Sequence, residues 1–228
     1  MSDHSGHLAL FDLDHTLIPF DSGMAWTQFL IARGVLPQES EATYLAFCHE
    51  YAAGTLDIHA MHRNNLVPLL SHSRDTLARW QREFEGEVAS RLPAGMHELV
   101  ERHRAAGDLC AIVTATTRLI AEPFARLFCI ENLLSTQAAT VDGDPHGALT
   151  GEIAGEPCYR EHKIAHVERW LAGMQRQGGI SRFARSWFYS DSMSDLPLLE
   201  VVTDPVAVSP DDRLRAHAAT RGWPVLGS

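Results

Sequence analysis

Two carboxylates, Asp12 and Asp14, stand two residues apart where the apolar stretch 8–13 ends. That stretch predicts a buried strand, which would leave both carboxylates on one side of the backbone at the strand's end. Like charges so close together are costly unless neutralised, and a hard cation such as Mg2+ takes oxygen ligands and keeps positions open for a phosphate. A polar strand end or an Asx turn fits the same two residues. The pair by itself therefore leaves a metal site and a simple turn as alternatives.

Further polar side chains stand where later predicted strands end. Thr114 follows an apolar run, and Asp191 and Asp195 follow another. In doubly wound α/β proteins, ligands bind at the carboxyl ends of the parallel strands, so these side chains are expected to meet the first carboxylate pair there. Taken singly, each is also typical of a strand-end hydroxyl or of a loop that caps a helix. Their coincidence at several strand ends favours one shared site.

Lys163 is the only lysine in the chain, and the other residues among its 19 lysines and arginines are all arginine. It lies near the start of a helix predicted over 159–173. Arginine suffices for surface charge and for bidentate pairing, so a chain that uses arginine everywhere else has a reason to keep one compact ammonium. A single surviving surface lysine is the alternative interpretation.

The hydrophobic pattern changes after the first strand and again near residue 93. Residues 18–92 show apolar faces at helical spacing, whereas helical and strand patterns alternate from residue 93 onward. Such alternation predicts an α/β fold, a doubly wound and mainly parallel sheet covered by helices on both faces. We therefore predict an α/β core from residues 1–17 and 93–228, an all-helical insert, hereafter the cap, over residues 18–92, and a small β-hairpin flap within 135–152.

The composition is that of an ordinary globular protein, 45% hydrophobic and 21% charged over 228 residues. A formal net charge of -10 without a basic patch argues against nucleic acid and anionic membranes as partners. The four cysteines are widely spaced, which predicts neither a zinc site nor a disulfide framework. Residues 1–7 lack the layout of a signal peptide and no apolar run reaches transmembrane length, so a cytoplasmic protein is expected. The one linker-like stretch is 175–181.

Together these residues resemble the motifs of the haloacid dehalogenase superfamily, within it the phosphoserine-phosphatase-like branch with a helical cap. The stretch 12–16 resembles the first motif, Thr114 the second, Lys163 the third and the stretch 191–195 the fourth. The resemblance covers essentially the whole chain. It implies a Rossmann-like core, and it gives the insert after the first motif the role of a lid over the site.

The resemblance implies a specific division of chemical roles. Asp12 would be the nucleophile, which forms an aspartyl-phosphate, and Asp14 the general acid and base. Thr114 and Lys163 would hold the phosphate, and the peptide N–H groups of Ala115 and Thr116 precede a helix whose positive end suits phosphate oxygens.

The same resemblance implies a Mg2+ site. Asp12 would hold the metal through its second carboxylate oxygen, Asp14 through its backbone carbonyl, and Asp191 through its side chain, with Asp195 in support. The fourth motif departs from the usual form, because Ser190 and Ser194 stand where a glycine and an asparagine are common. Both replacements are small and polar, so the geometry is expected to survive.

Substrate recognition is expected in the cap. In relatives that act on phosphoserine, an acidic residue nine positions after the nucleophile binds the substrate amine, and Asp21 stands there; an N-cap of the following helix is an equal alternative. Those relatives also bind the substrate carboxylate with a cap arginine, where this chain has Asn65 with Arg63 nearby. This departure weighs against phosphoserine and is compatible with an aminated phosphomonoester without a carboxylate, such as histidinol phosphate.

The sequence thus predicts a Mg2+-dependent phosphatase that hydrolyses a small phosphorylated metabolite, monomeric or homodimeric, without nucleic-acid or membrane partners. Two alternatives stay open: a non-catalytic phosphate-binding or metabolite-binding protein on the same scaffold, and a phosphotransferase to an acceptor other than water. The histidine pairs 59/62 and 162/166 have helical ligand spacing but no third ligand beside them, so we predict that they lie on solvated helix faces.

Overall fold

The structure is a computed structural model that describes residues 6–176 and 183–227, so the linker-like stretch falls largely outside it. The strands are β1 Gly6–Phe11, β2 Leu109–Thr117, β3 Asn132–Thr136, β4 Ala138–Thr140, β5 Leu149–Ile153, β6 Phe183–Ser190, β7 Asp204–Val208 and β8 Val225–Leu226. The helices are α1 Ser22–Ala32, α2 Ser40–Ala53, α3 Ile58–Leu66, α4 Arg74–Val88, α5 Ala94–Ala105, α6 Arg118–Leu127, α7 His162–Arg176, α8 Leu196–Leu199 and α9 Asp212–Arg221. Within those residues, no helix has the length and apolarity needed to span a bilayer.

β1 lies inside a parallel sheet of order β3-β2-β1-β6-β7-β8, with β2 on one side and β6 on the other. Leu8 and Leu10 pack into one hydrophobic cluster, and Ala9 and Phe11 pack into a second cluster on the opposite face of the sheet. A strand buried on both faces is apolar at every position, which explains the unbroken apolar run in the sequence. The predicted α/β class with a mainly parallel, doubly wound sheet is confirmed.

The cap is joined to the core through a shared aromatic cluster. The Trp26 ring of α1 lies 5.1 Å from Phe84 of α4, which lies 5.7 Å from Phe124 of α6. These rings belong to the same hydrophobic cluster as one face of β1. Residues 18–92 carry helices α1–α4, as predicted. Because apolar packing is continuous between these helices and the core, the division into separate cap and core domains stays a prediction.

The flap is a shorter hairpin than the sequence predicts. β4 and β5 pair antiparallel, with Ala138 opposite Ile153. Ser135, the first residue of the predicted hairpin range, instead belongs to β3 and pairs with Thr114 in the main sheet.

The sequence pattern does not predict α9, because only Leu214 and Ala218 of this helix are buried and its apolar face is weak.

Candidate active site

The first motif lies where β1 leaves the sheet. The amide of Asp12 still donates to the carbonyl of Tyr189 at 2.9 Å, as the next rung of the ladder to β6. His15 then adopts a positive φ of 55°, and the amide of Ile18 returns to the carbonyl of Leu13 at 3.2 Å. The tight turn holds the Asp12 side chain at the carboxyl edge of the sheet, where the chain enters the cap.

Lys163 lies at the centre of the carboxylate cluster. Its Nζ donates to Oδ1 of Asp12 at 2.8 Å and to Oδ2 of Asp195 at 2.7 Å, and the residue is only 2% exposed. Burial alone would lower the pKa of Lys163, but the two carboxylates raise it well above its usual value. The lysine is therefore a buried cation, which excludes the surface-lysine interpretation.

The carboxylates around Lys163 carry more negative charge than this ammonium neutralises. Burial raises the pKa of Asp12 to about 7 although Lys163 acts in the opposite direction. Burial, with Asp12 and Asp195 nearby, also raises the pKa of Asp191 well above its ordinary value. Oδ1 of Asp195 is buried without a hydrogen-bond partner among the described residues. A second cation beside these groups would relieve both the repulsion and the unpaired oxygen.

Asp12 and Asp191 share one hydroxyl, which draws their carboxylates together. Oγ of Thr16 lies 3.5 Å from Oδ2 of Asp12 and 3.3 Å from Oδ1 of Asp191, and it accepts from the amide of Asp191 at 3.0 Å. Within the described ranges, no three acidic, histidine or cysteine side chains form a complete metal cage. Mg2+ does not need one, because it keeps several waters and takes one or two carboxylates beside a phosphate. The donor set present therefore fits Mg2+.

Asp195 is placed as a supporting residue. Its Oδ2 accepts from Lys163 and also from the Ser190 hydroxyl, the latter at 2.8 Å. The serine that stands in the usual glycine position thus adds a hydrogen bond to the cluster. Sequence reasoning treated this position only as a tolerated departure from the motif.

The second motif forms another wall of the cavity. Thr114 is buried at the end of the regular part of β2, and its Oγ accepts from the amide of Thr116 at 3.1 Å. Pairing with β3 is interrupted between Thr114 and Thr117, so the strand opens there. The Ala115 carbonyl is held by the Thr136 hydroxyl at 2.8 Å. The loop presents Ala115 to the cavity just before α6, whose N-terminal end carries positive partial charge.

Asp14 is held by the amide of Ser22 and the hydroxyl of Thr116, and the sequence did not predict a role for either group at Asp14. Its Oδ1 accepts from the amide of Ser22 at 2.6 Å, and its Oδ2 accepts from the hydroxyl of Thr116 at 2.7 Å. The two hydroxyls of Ser22 and Thr116 lie 3.2 Å apart. A hydroxyl two positions after Thr114 was visible in the sequence, but only the tertiary structure shows that it reaches across to the first motif.

Asp21 satisfies the N-cap interpretation and also faces the cavity. Its Oδ1 accepts from the amide of Met24 at 2.7 Å, which caps α1. Burial, followed by the nearby charge of Asp14, raises its pKa to about 6. The thiol of Cys48 approaches its Oδ2 at 4.0 Å, and both residues line the cavity. A half-buried carboxylate in a cavity wall is a suitable partner for a cationic group.

The structure does not bring Arg63 to the site. Its guanidinium donates to Glu152 of β5 at 3.3 Å, so this side chain ties α3 to the flap and lies outside the cavity lining. Asn65, two positions later in the sequence, is buried and is also absent from the cavity lining. The arginines that do line the cavity are Arg160 and Arg213, which belong to the core and carry no motif that would have identified them.

His62 is not on a solvated face, so that expectation is wrong. The side chain is 1% exposed, and neither ring nitrogen has a hydrogen-bond partner within the described residues. Burial, with the nearby charge of His59, lowers its pKa to about 4. The α3 helix thus buries a neutral imidazole near Ala115, because this face of α3 is covered by the core and the flap rather than by water.

A cavity of about 980 Å³ joins these groups. On the core side it is lined by Asp12, Asp14, Thr114, Ala115, Lys163, Asp191 and Asp195. On the cap side it is lined by Asp21, Tyr44, Phe47, Cys48, Tyr51, Ile58 and Met61. The structure therefore brings together every core residue that the sequence predicts for the site, beneath a wall that is partly aromatic and partly acidic.

The family model described as haloacid dehalogenase-like hydrolase matches residues 9–200. The chain belongs to this family, as its motifs predict. A curated relative from Neisseria meningitidis serogroup C, named histidinol-phosphatase, is 40% identical over 222 residues, which cover 96% of this chain and 98% of that protein.

Two further proteins extend the comparison. A relative from Mycobacterium tuberculosis named phosphoserine phosphatase SerB1 is 32% identical over 225 residues, covering 95% of this chain and 69% of that protein. A crystal structure from Bordetella pertussis Tohama I, of a protein of unknown function, has a TM-score of 0.86 and 41% identity, and the match covers 98% of this chain and 99% of that chain. The phosphoserine-phosphatase-like branch predicted from the motifs is thereby confirmed.

Proposed function

We propose that this protein is a Mg2+-dependent phosphatase that hydrolyses a small, amine-bearing phosphomonoester through an aspartyl-phosphate on Asp12. The observation that carries the proposal is the buried contact of Lys163 with Asp12 and Asp195, at 2.8 and 2.7 Å, on the wall of the cavity. A buried ammonium paired with a carboxylate nucleophile is the arrangement that an anionic phosphoryl group needs at its point of attack. The names of the relatives point to the same reaction.

Lys163 and the second motif would hold the substrate phosphate. The ammonium would neutralise phosphate charge directly, and the Thr114 hydroxyl together with the amide of Ala115 would donate to phosphate oxygens. Asp12 and Asp191, with the backbone carbonyl of Asp14, would hold Mg2+. When bound, the cation offsets the repulsion between the carboxylates and the phosphate and stabilises the charge that develops during transfer.

The reaction would proceed in two displacements. A carboxylate oxygen of Asp12 attacks phosphorus while the bond from phosphorus to the leaving oxygen breaks, and Asp14 gives that oxygen its proton. Asp14 then accepts a proton from water as the water oxygen attacks the phosphorus of the aspartyl-phosphate. This second step releases inorganic phosphate and restores the Asp12 carboxylate. The hydrogen bonds from Ser22 and Thr116 keep Asp14 directed toward this region.

The cap favours a leaving group that carries a cation and no carboxylate. Asp21 places a half-buried carboxylate on the cavity wall, whereas Arg63 is engaged with Glu152 and is absent from the wall. Phe47 and Tyr51 add aromatic surface suited to a flat ring. Histidinol phosphate combines an amine with an imidazole ring, in keeping with the name of the Neisseria relative. It is therefore the proposed substrate, ahead of phosphoserine.

Phosphate release from histidinol phosphate, phosphoserine and a neutral alkyl phosphate, each with Mg2+ and with EDTA, tests the proposal. We expect the highest kcat/KM with histidinol phosphate, dependence on Mg2+, and a loss of at least about 1,000-fold in Asp12→Asn. Asp21→Asn should lower kcat/KM for the amine-bearing esters by about tenfold or more while sparing the neutral ester. A wild-type protein that turns over none of these compounds, or an Asp12→Asn protein that retains full activity, would contradict the assignment.

A further inference from the structure

Tyr51, near the C-terminal end of α2, contacts the turn that carries the fourth motif. Its hydroxyl lies 2.6 Å from the Oγ of Ser194 and donates to the Oγ of Ser192 at 3.1 Å. Burial, with the charges of Asp195 and Asp12 nearby, raises the pKa of Tyr51 well above its usual value, so the hydroxyl keeps its proton. A side chain of the cap thus forms hydrogen bonds to the segment that lies directly between Asp191 and Asp195.

The other bonds to this turn come from the core. The amide of Met193 donates to Asp211 at 2.8 Å, and the amide of Asp211 donates to the carbonyl of Asp191 at 2.8 Å. On the opposite side the amide of Asp191 donates to Thr16, and that of Ser192 donates to Ser190 at 3.2 Å. Tyr51 therefore supplies the cap's contribution to a turn that is otherwise held by the core.

A second contact fixes the same end of α2. Arg160 donates from Nη2 to the carbonyl of Gly54 at 2.8 Å. The rings of Tyr51 and Tyr159 lie 5.8 Å apart at an angle of 41°. Gly54 ends α2 with a φ of 77°, a conformation that places its carbonyl within reach of the core. The end of α2 is thus docked on two core segments, and only the Tyr51 contact reaches the fourth-motif turn.

We propose that Tyr51 is a positioning residue, whose hydroxyl couples the docked position of the cap to the placement of Asp191 and Asp195 around the metal. The inference rests on the proposed function, because it takes these carboxylates to be the Mg2+ site. Ser194 stands where relatives commonly have asparagine, and in this chain its hydroxyl is the partner of a cap tyrosine. The departure from the motif is then part of a contact between cap and core.

Binding of Mg2+ provides a test that does not depend on turnover. The unfolding midpoint of wild type, Tyr51→Phe and Tyr189→Phe is measured against Mg2+ concentration with beryllofluoride present, and the apparent Kd is obtained from the rise. Tyr51→Phe keeps the ring and removes the hydroxyl, so Kd for Mg2+ and KM for substrate are expected to rise about fivefold to tenfold. Tyr189→Phe removes a hydroxyl that is bonded to His103 at 2.8 Å and lines no part of the cavity, and it should leave both constants unchanged.

The partner serine provides the second arm of the test. Ser194→Ala should also weaken Mg2+ binding, and Tyr51→Phe combined with Ser194→Ala should weaken it by less than the sum of the two single effects, because both changes remove the contact between Tyr51 and Ser194. Equal Mg2+ affinity in wild type and Tyr51→Phe overturns the positioning role while leaving the phosphatase assignment intact, as do strictly additive effects of the two changes. A wild-type protein that does not respond to Mg2+ overturns the proposed function and the positioning role together.

Discussion

Replacement of Asp12 by asparagine is expected to abolish turnover and yet, without Mg2+, to make the folded protein more stable. Asp12 is only 7% exposed. Its carboxylate lies near those of Asp191 and Asp195, and the ammonium of Lys163 offsets only part of this negative charge. Asparagine keeps the size of the side chain and an oxygen that can accept from Lys163, but it carries no charge. The change therefore removes electrostatic repulsion without creating a cavity.

The magnitude follows from the perturbed pKa. Burial raises the pKa of Asp12 from 3.8 to about 7, even though Lys163 acts against this increase. Multiplying this difference of about 3 by 1.36 kcal/mol per pKa unit gives roughly 4 kcal/mol as the cost of ionising the buried carboxylate at pH 8. Asparagine replaces the carboxylate's contact with Lys163 imperfectly, so we expect the free energy of unfolding to rise by about 2–4 kcal/mol.

The sign of the pH dependence is determined by the same shift. Because the folded-state pKa of Asp12 lies above 3.8, the folded protein binds more protons than the unfolded chain between about pH 4 and pH 7. Wild-type stability from this group is therefore present at low pH and is lost as the pH rises through 7. The advantage of Asp12→Asn should accordingly be greatest at pH 8 and fall to less than half at about pH 5.

Urea unfolding in EDTA at pH 8 and pH 5 measures both predictions. Asp142→Asn is the matched control, because Asp142 is exposed and its positive φ of 56° suits asparagine equally well, so a change within about 0.5 kcal/mol is expected. Saturating Mg2+ should reverse the order, since it stabilises the wild type by mass action. An Asp12→Asn protein that is less stable than wild type in EDTA at pH 8, or an advantage of equal size at both pH values, would refute the reasoning.

Three further predictions test other parts of the site. Lys163→Arg should lower kcat/KM at least about 100-fold and destabilise the fold by about 1–3 kcal/mol, measured by initial rates and urea unfolding, because a planar guanidinium is too large for the buried space between Asp12 and Asp195. Thr116→Val should lower kcat about tenfold by removing one of the donors to Asp14, with a larger effect for poorer leaving groups; an equal loss for all leaving groups would argue against that role. As the pH falls from 7 to 4, the free energy of unfolding of His62→Leu should rise by about 2–3 kcal/mol relative to that of the wild type. The wild-type imidazole has a pKa of about 4 in the folded protein and 6.5 in the unfolded chain, so acidification destabilises the wild type. Parallel pH profiles of the two proteins in urea unfolding would contradict this.

The residues of the core site were predictable because strand ends and motifs are local features. Asp12, Thr114 and Asp191 each follow an apolar run, and parallel strands bring their carboxyl ends to one edge of a sheet whatever the exact packing. The isolation of Lys163 as the chain's only lysine is a compositional signal that needs no structure. These features predicted a group of core residues that the structure brings together on the wall of one cavity.

The cap residues were less predictable because helical spacing shows which residues share a face but not what covers that face. The sequence places Arg63 and His62 on solvated or substrate-facing positions. In the structure His62 is buried, and Arg63 pairs with Glu152 of the flap on the surface. The reach of Tyr51 to Ser194 depends on where the end of α2 docks, a distance of 143 residues along the chain. No local pattern encodes such a contact.

By itself, the sequence determined the α/β class, the helices within residues 18–92, the acidic groups at the strand ends and the single lysine near a helix start, since these follow from periodicity and from the chemistry of a few residue types. The tertiary structure alone decided how the charges are shared, with Lys163 between Asp12 and Asp195 while Asp191 relies on the hydroxyl of Thr16. It also decided which cap side chains meet the core. The physical reason is that hydrogen bonds and burial depend on separations of a few ångströms between segments far apart in the chain, which residue order does not specify.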